Sequence, residues 1–254
     1  MTPRPYILAE ANWKIVVATD YRVAVLPWGA TEAHNYHLPY ATDVIECDSV
    51  AAASAQIAWE HGARVVVLPT VPFGVNTGQL DIKLCLNMNP STQAELLRDL
   101  VVSLERQGIL KLVILNGHGG NDFRQMIREL QPQTRVFLCS LNWWTCVDPK
   151  PYFDEPGDHA GELETSVIQH VAPELVLPLS EAGNGGQKRA SIAALRDGWV
   201  WAPRPWSLVS ADTGVGDPAA ATPEKGARFL DAVAARIASF LIELDATDPA
   251  TMYD

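Results

Sequence analysis

The stretch LKLVILNGHGGND, residues 110–122, joins a continuous apolar run to a short loop of glycine, asparagine and histidine. Three further apolar runs are RVAVLP (22–27), ARVVVLP (63–69) and TRVFLCS (134–140). Runs of this kind are typical of strands that are buried on both faces, as in parallel sheets. The four runs therefore predict a parallel sheet that is covered on both sides.

Helical patterns lie between these strands. The clearest is NPSTQAELLRDLVVSLERQG (89–108), in which apolar residues recur at helical spacing and Ser91 or Thr92 is the predicted N-cap. Alternating strands and helices predict right-handed crossovers and an α/β fold. No internal repeat or linker interrupts the pattern, so we expect residues 1–254 to form a single domain.

The charge and composition of the chain indicate which classes of binding partner and which cellular compartment to expect. The 254 residues carry 19 basic and 30 acidic side chains, a formal net charge of −11. Nucleic acids and anionic membrane surfaces select basic patches, so neither is an expected partner. The four cysteines form no CxxC pair, the N-terminus lacks a signal-peptide pattern, and no apolar run is long enough to span a membrane. We therefore expect a cytoplasmic protein with reduced thiols.

Histidines and carboxylates concentrate in three segments. GATEAHNYHLPYATD (29–43) and NGHGGND (116–122) follow predicted strands, at the sheet edge where α/β proteins bind ligands, and GDHAGELETS (157–166) opens a later helix. Four of the six histidines fall in these segments, and imidazole with carboxylate suits zinc, manganese or iron. A lone histidine in such a loop is more often structural, so it is the clustering that predicts a metal site.

Other chemistries have weaker support. The sequence contains no GxSxG nucleophile elbow, no GxxxxGK[ST] loop and no cysteine in a histidine-rich context. The segment GNGGQKRAS (183–191) could bind a phosphate, but a surface loop is the simpler interpretation. A phosphate on the substrate would favour a basic residue near the pocket, such as Lys83, Lys188 or Arg189.

Together with TGVGDPAAATPEKG (213–226), the three segments resemble, in order along the chain, the creatininase (creatinine amidohydrolase) family. The resemblance implies a three-layer α/β/α sandwich with a mostly parallel central sheet, assembled as a homo-oligomer and often as a hexamer. It also implies a divalent-metal site, commonly with two ions per chain. Such enzymes hydrolyse an amide-type C–N bond of a small, often cyclic molecule through a metal-bound hydroxide.

The resemblance also implies roles for individual residues. Asp43 matches a carboxylate that bridges the two ions, and His159 matches a histidine that transfers a proton or holds the substrate. We assign proton transfer to His159 or Glu164. The implied metal ligands are Glu32, His34, Asp43, His118 and Glu164. The expected substrate-binding residues are His37, Asn76, Trp143 and Trp144.

The sequence departs from creatininase around the pocket. Creatininase carries a metal-binding glutamate at the position of Gly120, and we expect Glu164 to supply that carboxylate here. The segment FDEPGDH (153–159) lacks the second pocket tryptophan, and LCLNMNPST (84–92) replaces the usual Phe-Pro-Gly-Thr loop. Creatinine is therefore not the expected substrate. The alternatives are formamides of pyrimidine intermediates, peptide-like bonds, cyclic polyol ketones or lactones, and a non-catalytic ligand-binding homologue.

Overall fold

The structure, a computed structural model, describes residues 3–253 and contains the predicted parallel sheet. Its strands are β1 (Val23–Trp28), β2 (Val65–Val67), β3 (Lys111–Asn116) and β4 (Phe137–Asn142). They lie in the order β2–β1–β3–β4, and every neighbouring pair is parallel. Each apolar run contributes one strand, so the prediction of a parallel sheet is confirmed.

The helices connect the strands and cover the sheet. In chain order they are α1 (Trp13–Val17), α2 (Thr42–Glu60), α3 (Pro90–Arg106), α4 (Arg124–Leu130), α5 (Glu162–Val171), α6 (Ala193–Arg196), α7 (Trp206–Val209) and α8 (Pro223–Ala246). The N-cap of α3 is Asn89, so the prediction of Ser91 or Thr92 there is wrong. Pro90 begins the helix because its fixed φ suits the first helical position, where no backbone N–H is needed.

The strands bury alternate side chains on opposite faces of the sheet. Val23 and Val25 of β1 pack in an apolar cluster with α2, α5 and α8. Ala24 and Leu26 point the other way, into a cluster with α3 and α4. The predicted three-layer α/β/α sandwich is therefore confirmed, since both faces of each central strand are covered by helices.

Three strands end in register at one edge of the sheet. Trp28 pairs with Asn116, which in turn pairs with Asn142. The segments that follow are residues 29–41, the loop 117–123 and a 3₁₀ turn at Trp143–Thr145. Backbone register thus brings the polar segments together before any side-chain contact is considered. Within residues 3–253, none of the helices combines the length and apolar character needed to cross a bilayer.

Candidate metal centre

The structure brings the six predicted ligand and catalytic side chains into one cluster at this edge. Each of its supporting segments follows a strand or opens a helix. The segment after β1 supplies Glu32 and His34, the first turn of α2 supplies Asp43, the loop after β3 supplies His118, and the start of α5 with the residues before it supplies His159 and Glu164. All are buried except Glu164, whose side chain is 20% exposed.

Asp43 lies at the middle of the cluster. Its Oδ1 is 2.8 Å from Nε2 of His34, and its Oδ2 is 3.1 Å from Nδ1 of His118. The two carboxylate oxygens therefore face imidazoles on opposite sides. Two groups of potential ligands share Asp43: one adds Glu32 and His118, the other His34 and Glu164, and within each group the ligand atoms lie within 4.8 Å of one another.

Each histidine is oriented by a backbone carbonyl on the far side of its ring. Nδ1 of His34 is 3.2 Å from the carbonyl oxygen of Glu32, and Nε2 of His118 is 3.1 Å from that of Val75. Nε2 of His159 is 2.9 Å from the carbonyl oxygen of Ala33. A ring N–H that donates to a carbonyl fixes the tautomer and turns the other nitrogen toward the cluster, as metal-binding histidines require.

The geometry of the candidate ligand atoms suits the binding of a cation better than it suits hydrogen bonds among the side chains. Nε2 of His34 and Oδ2 of Asp43 are buried, yet neither makes a hydrogen bond with acceptable geometry in the described chain. Buried polar atoms without partners are costly unless something else satisfies them. Oxygen and imidazole ligands that converge on a common space suit zinc, manganese or iron.

The charges of the cluster favour protonation of its histidines, and this protonation competes with metal binding. Burial opposes charge on His34, but the carboxylates of Asp43, Glu164 and Glu32 together outweigh burial and raise the pKa of His34 to about 10. Burial likewise opposes charge on His118, whose pKa is raised by Glu32 and Asp43. An incoming cation therefore competes with protons on both rings, so binding releases protons.

Sequence reasoning missed Gln79, which holds Glu32. Its side-chain amide donates a hydrogen bond to Oε2 of Glu32, and its own oxygen accepts from the Cys85 thiol at 3.1 Å. Oε1 of Glu32 is thereby left facing Nδ1 of His118 at 2.9 Å. Gln79 ends a short 3₁₀ turn (Thr77–Gln79), and no local motif marks it, so only the folded chain reveals this contact.

The resemblance to creatininase implies a metal-binding glutamate at the position of Gly120, but the structure leaves no room there for a side chain. A Cβ at this position would lie 2.3 Å from the carbonyl oxygen of Val75 and 2.4 Å from Nε2 of His118. These two atoms form the hydrogen bond that orients His118. The absence of a side chain at residue 120 is therefore a requirement of the His118 orientation.

We expect Gly120→Ala to disturb His118 and to weaken metal binding. The added methyl group forces the backbone or the ring to move, at a cost of about 1–3 kcal/mol in the free energy of unfolding. Thermal unfolding and metal analysis measure the two effects. Gly119→Ala is the matched control, because a Cβ there meets nothing within 4 Å. Equal behaviour of the two variants would contradict the proposed constraint.

A cavity of about 1460 Å³ opens beside the cluster, and it receives three of the four predicted substrate-binding residues. Asn76, Trp143 and Trp144 line it. Trp143 is 1% exposed and also packs against Phe229 in the core. His37 is not brought to the cavity: its Nε2 lies 2.9 Å from Oγ1 of Thr165 on α5, and burial lowers its pKa to about 4.

Trp206 is a further aromatic side chain of the site that sequence reasoning missed. Its ring centroid lies 4.8 Å from that of His159, and it also lines the cavity. The ring therefore covers His159 from a segment distant in sequence, where the local segment FDEPGDH offers no tryptophan. The tryptophans at 199, 201 and 206 form a dense group in the sequence, which was the available signal.

The fold and the cluster define an α/β protein with a candidate divalent-metal centre at the carboxyl edge of its parallel sheet. The family model of creatininase (creatinine amidohydrolase) matches residues 9–241. The chain therefore belongs to the creatininase family, and it is a metal-dependent hydrolase of that family.

Individual relatives agree with this membership. A mycofactocin precursor peptide peptidase of Mycobacterium ulcerans is 31% identical over 218 residues, which cover 81% of this chain and 78% of the relative. A crystal structure of a candidate creatinine amidohydrolase from Bacteroides fragilis is 42% identical and covers 98% of this chain and 99% of its own, with a TM-score of 0.92. A mutant creatininase of Zn–Zn type, 23% identical, covers 96% of this chain and 100% of its own with a TM-score of 0.76, which shows the shared fold.

Proposed function

We propose that this chain is an amidohydrolase that holds two divalent ions, zinc, manganese or iron, on Glu32, His34, Asp43, His118 and Glu164. The observation that carries the proposal is the position of Asp43, whose two oxygens face His34 and His118 and divide the ligands into two groups. Ions held by these residues would polarise a scissile carbonyl and make water more acidic.

His159 is the proposed proton carrier. A third possible ligand group combines it with Glu32 and His34, but those two residues are already used by the groups that share Asp43. Nδ1 of His159 then stays available at the cavity, 3.8 Å from Oε1 of Glu32. Because the carbonyl of Ala33 is the partner of Nε2, Nδ1 is the nitrogen that takes the proton released by the attacking water and gives it to the leaving nitrogen.

Glu164 is proposed as a ligand that also assists proton transfer. Its Oε2 accepts a hydrogen bond from the backbone N–H of Ala160, and its Oε1 is 4.0 Å from Nε2 of His34. One oxygen is thus tied to the protein, and the other is directed to the cluster. Burial raises the pKa of this carboxyl above its ordinary value, which favours a group that exchanges protons.

The scissile bond is proposed to be a peptide-type amide in an extended substrate. The cavity, at about 1460 Å³, exceeds the roughly 300–1,000 Å³ of ordinary small-molecule pockets. Several tryptophans line it, and the Mycobacterium ulcerans relative is named as a peptide peptidase. A small cyclic amide is the second candidate, favoured by Trp143 and Trp144, which offer apolar surface beside the cluster for a flat ring.

A substrate screen tests this choice. The protein is purified without chelator, analysed for metal, and supplied separately with zinc, manganese and iron. The panel contains short peptides, creatinine and other cyclic amides, formamides, lactones and cyclic polyol ketones. We expect cleavage of peptides with about two ions bound per chain. Turnover confined to cyclic compounds would overturn the peptide assignment, and turnover without bound metal would overturn the mechanism.

We also propose that residues 1–254 form one domain and that the protein is a homo-oligomer, in which a hexamer is the first arrangement to test. Large apolar side chains are exposed, including Trp199 at 76%, Trp201 at 84% and Leu84 at 70%. Exposed apolar surface of this kind is typical of contacts between chains. Light scattering in solution measures the mass, and a monomeric mass would contradict the oligomer.

A further inference from the structure

The segment 201–206 forms one wall of the cavity, and its backbone contacts the turn at Thr77–Gln79. Trp201, Arg204 and Trp206 all line the cavity. The backbone carbonyl of Arg204 packs so closely on Gly78 that a Cβ at Gly78 would lie 2.1 Å from its oxygen. This contact holds residue 204 against the turn that also carries Gln79. The position of Arg204 at the cavity is therefore defined by its backbone.

The guanidinium of Arg204 is fixed by two further contacts. Its Cζ lies 4.7 Å from the ring centroid of Trp206, and its Nη1 donates to Oδ2 of Asp158 at 2.6 Å. The same Trp206 ring is also a neighbour of His159, with the two ring centroids 4.8 Å apart. The cation and the proposed proton carrier thus contact the same aromatic ring, which places Arg204 near the proposed reacting bond.

Part of the guanidinium remains available. Within residues 3–253 its Nη1 has a hydrogen-bond acceptor, whereas Nε and Nη2 have none, and the side chain is 42% exposed. A planar fork of N–H donors matches the two oxygens of a carboxylate. Because stacking and the ion pair already hold the fork, little side-chain entropy is lost when an anion binds.

The other basic residues near the site do not share this arrangement. Arg124 lines the cavity, but its side chain is exposed, and it has neither an ion pair nor a stacked ring within the described residues. Lys83, Lys188 and Arg189, the residues expected to mark a phosphate-bearing substrate, are not among the lining residues. Arg204 is therefore the pre-organised cation of the cavity.

We propose that Arg204 binds a carboxylate of the substrate, so that the enzyme selects amides with a free carboxylate near the scissile bond, such as peptides cut close to the C-terminus. The proposal rests on the proposed amide hydrolysis at the same site. Asp158 neutralises part of the Arg204 charge, and Asp122 and Glu129 also line the cavity. This balance suits a single negative charge better than a doubly charged phosphate.

Two matched probes test the proposal: N-acetyl-alanyl-alanine with a free carboxylate, and its C-terminal methylamide. Binding to the metal-loaded enzyme is followed by tryptophan fluorescence, and hydrolysis is measured in parallel. We expect the wild type to prefer the free acid by roughly 10- to 100-fold, as expected for a hydrogen bond to a charged group. Arg204→Gln should reduce this ratio to near one, and Arg204→Lys should keep part of it.

Arg124→Gln controls for the general loss of positive charge and should retain the preference. Equal loss of binding of both probes in Arg204→Gln would overturn the proposal, because Arg204 would then only hold the segment. An unchanged preference in Arg204→Gln would also overturn it, because the carboxylate would then bind the metal. The same loss of preference in Arg124→Gln would overturn it as well. Inorganic phosphate that competes better than acetate would also overturn the carboxylate assignment.

The experiment distinguishes failure of the proposed peptide hydrolysis from failure of the proposed carboxylate site. If neither probe is hydrolysed while the free acid still binds through Arg204, the proposed peptide hydrolysis fails and the carboxylate site stands. If both probes are hydrolysed at equal rates and bind equally well, the hydrolysis stands and the carboxylate site fails.

Discussion

Asp43→Asn is expected to prevent the binding of both metal ions. The substitution preserves shape but removes the charge that faces both His34 and His118. Each of the two ligand groups loses its shared carboxylate, so the metal content should fall from about two ions to well below one per chain. Because metal ions contribute several kcal/mol to such hydrolyses, kcat/KM should fall about a thousandfold or more.

Metal analysis and steady-state kinetics on the purified variant measure these effects. Asp48→Asn is the matched control, because Asp48 lies on the same helix but is exposed and bonds to Thr70 outside the cluster. The control should keep both its metal and its activity. An Asp43→Asn protein that retains two ions and wild-type turnover would contradict the proposal that Asp43 is shared by the two metal sites.

Glu164→Gln is expected to remove one ion and to leave the other. Glu164 belongs to the group with His34 and Asp43, whereas Glu32 and His118 complete the other group. Glutamine can still accept the hydrogen bond from Ala160, so the local fold should be retained. The content should fall from about two ions to about one, with a loss of activity on the order of a hundredfold to a thousandfold.

This variant tests whether Glu164 supplies the carboxylate that the family resemblance places at the position of Gly120. Glu174→Gln serves as the control, since Glu174 is exposed in the turn that follows α5. Circular dichroism checks that both proteins are folded before their metal is measured. Two ions in Glu164→Gln would show that this carboxylate is not a ligand, and the assignment would have to be abandoned.

Much of the site's composition was predictable because it depends on local pattern. Apolar runs encode strands that are buried on both faces, and parallel strands bring their carboxyl ends to one edge. The positions of the motifs at 29–43 and 116–122 follow from that rule, whereas the motif at 157–166 opens a helix; the structure gathers the histidines and carboxylates of all three into one cluster. The family resemblance is confirmed by the match over residues 9–241.

Side-chain direction within the loops was not predictable in the same way. Asn35 and Ala160 have positive φ values of 54° and 52°, in the left-handed region that most residues avoid. These bends flank His34 and His159, so they help to set where both rings point. His37, three residues beyond His34, faces Thr165 on α5 instead of the cavity.

The sequence by itself determined the parallel sheet, the segments at its carboxyl edge and the types of ligand collected there, because each is encoded in neighbouring residues. The tertiary structure decided that Asp43 lies between His34 and His118, and that Gln79 holds Glu32. It also decided that Trp206 packs against His159 and that Arg204 packs against Trp206. These contacts join segments that are far apart in the chain, and their geometry is set by packing and backbone direction, which a local pattern of residues does not contain.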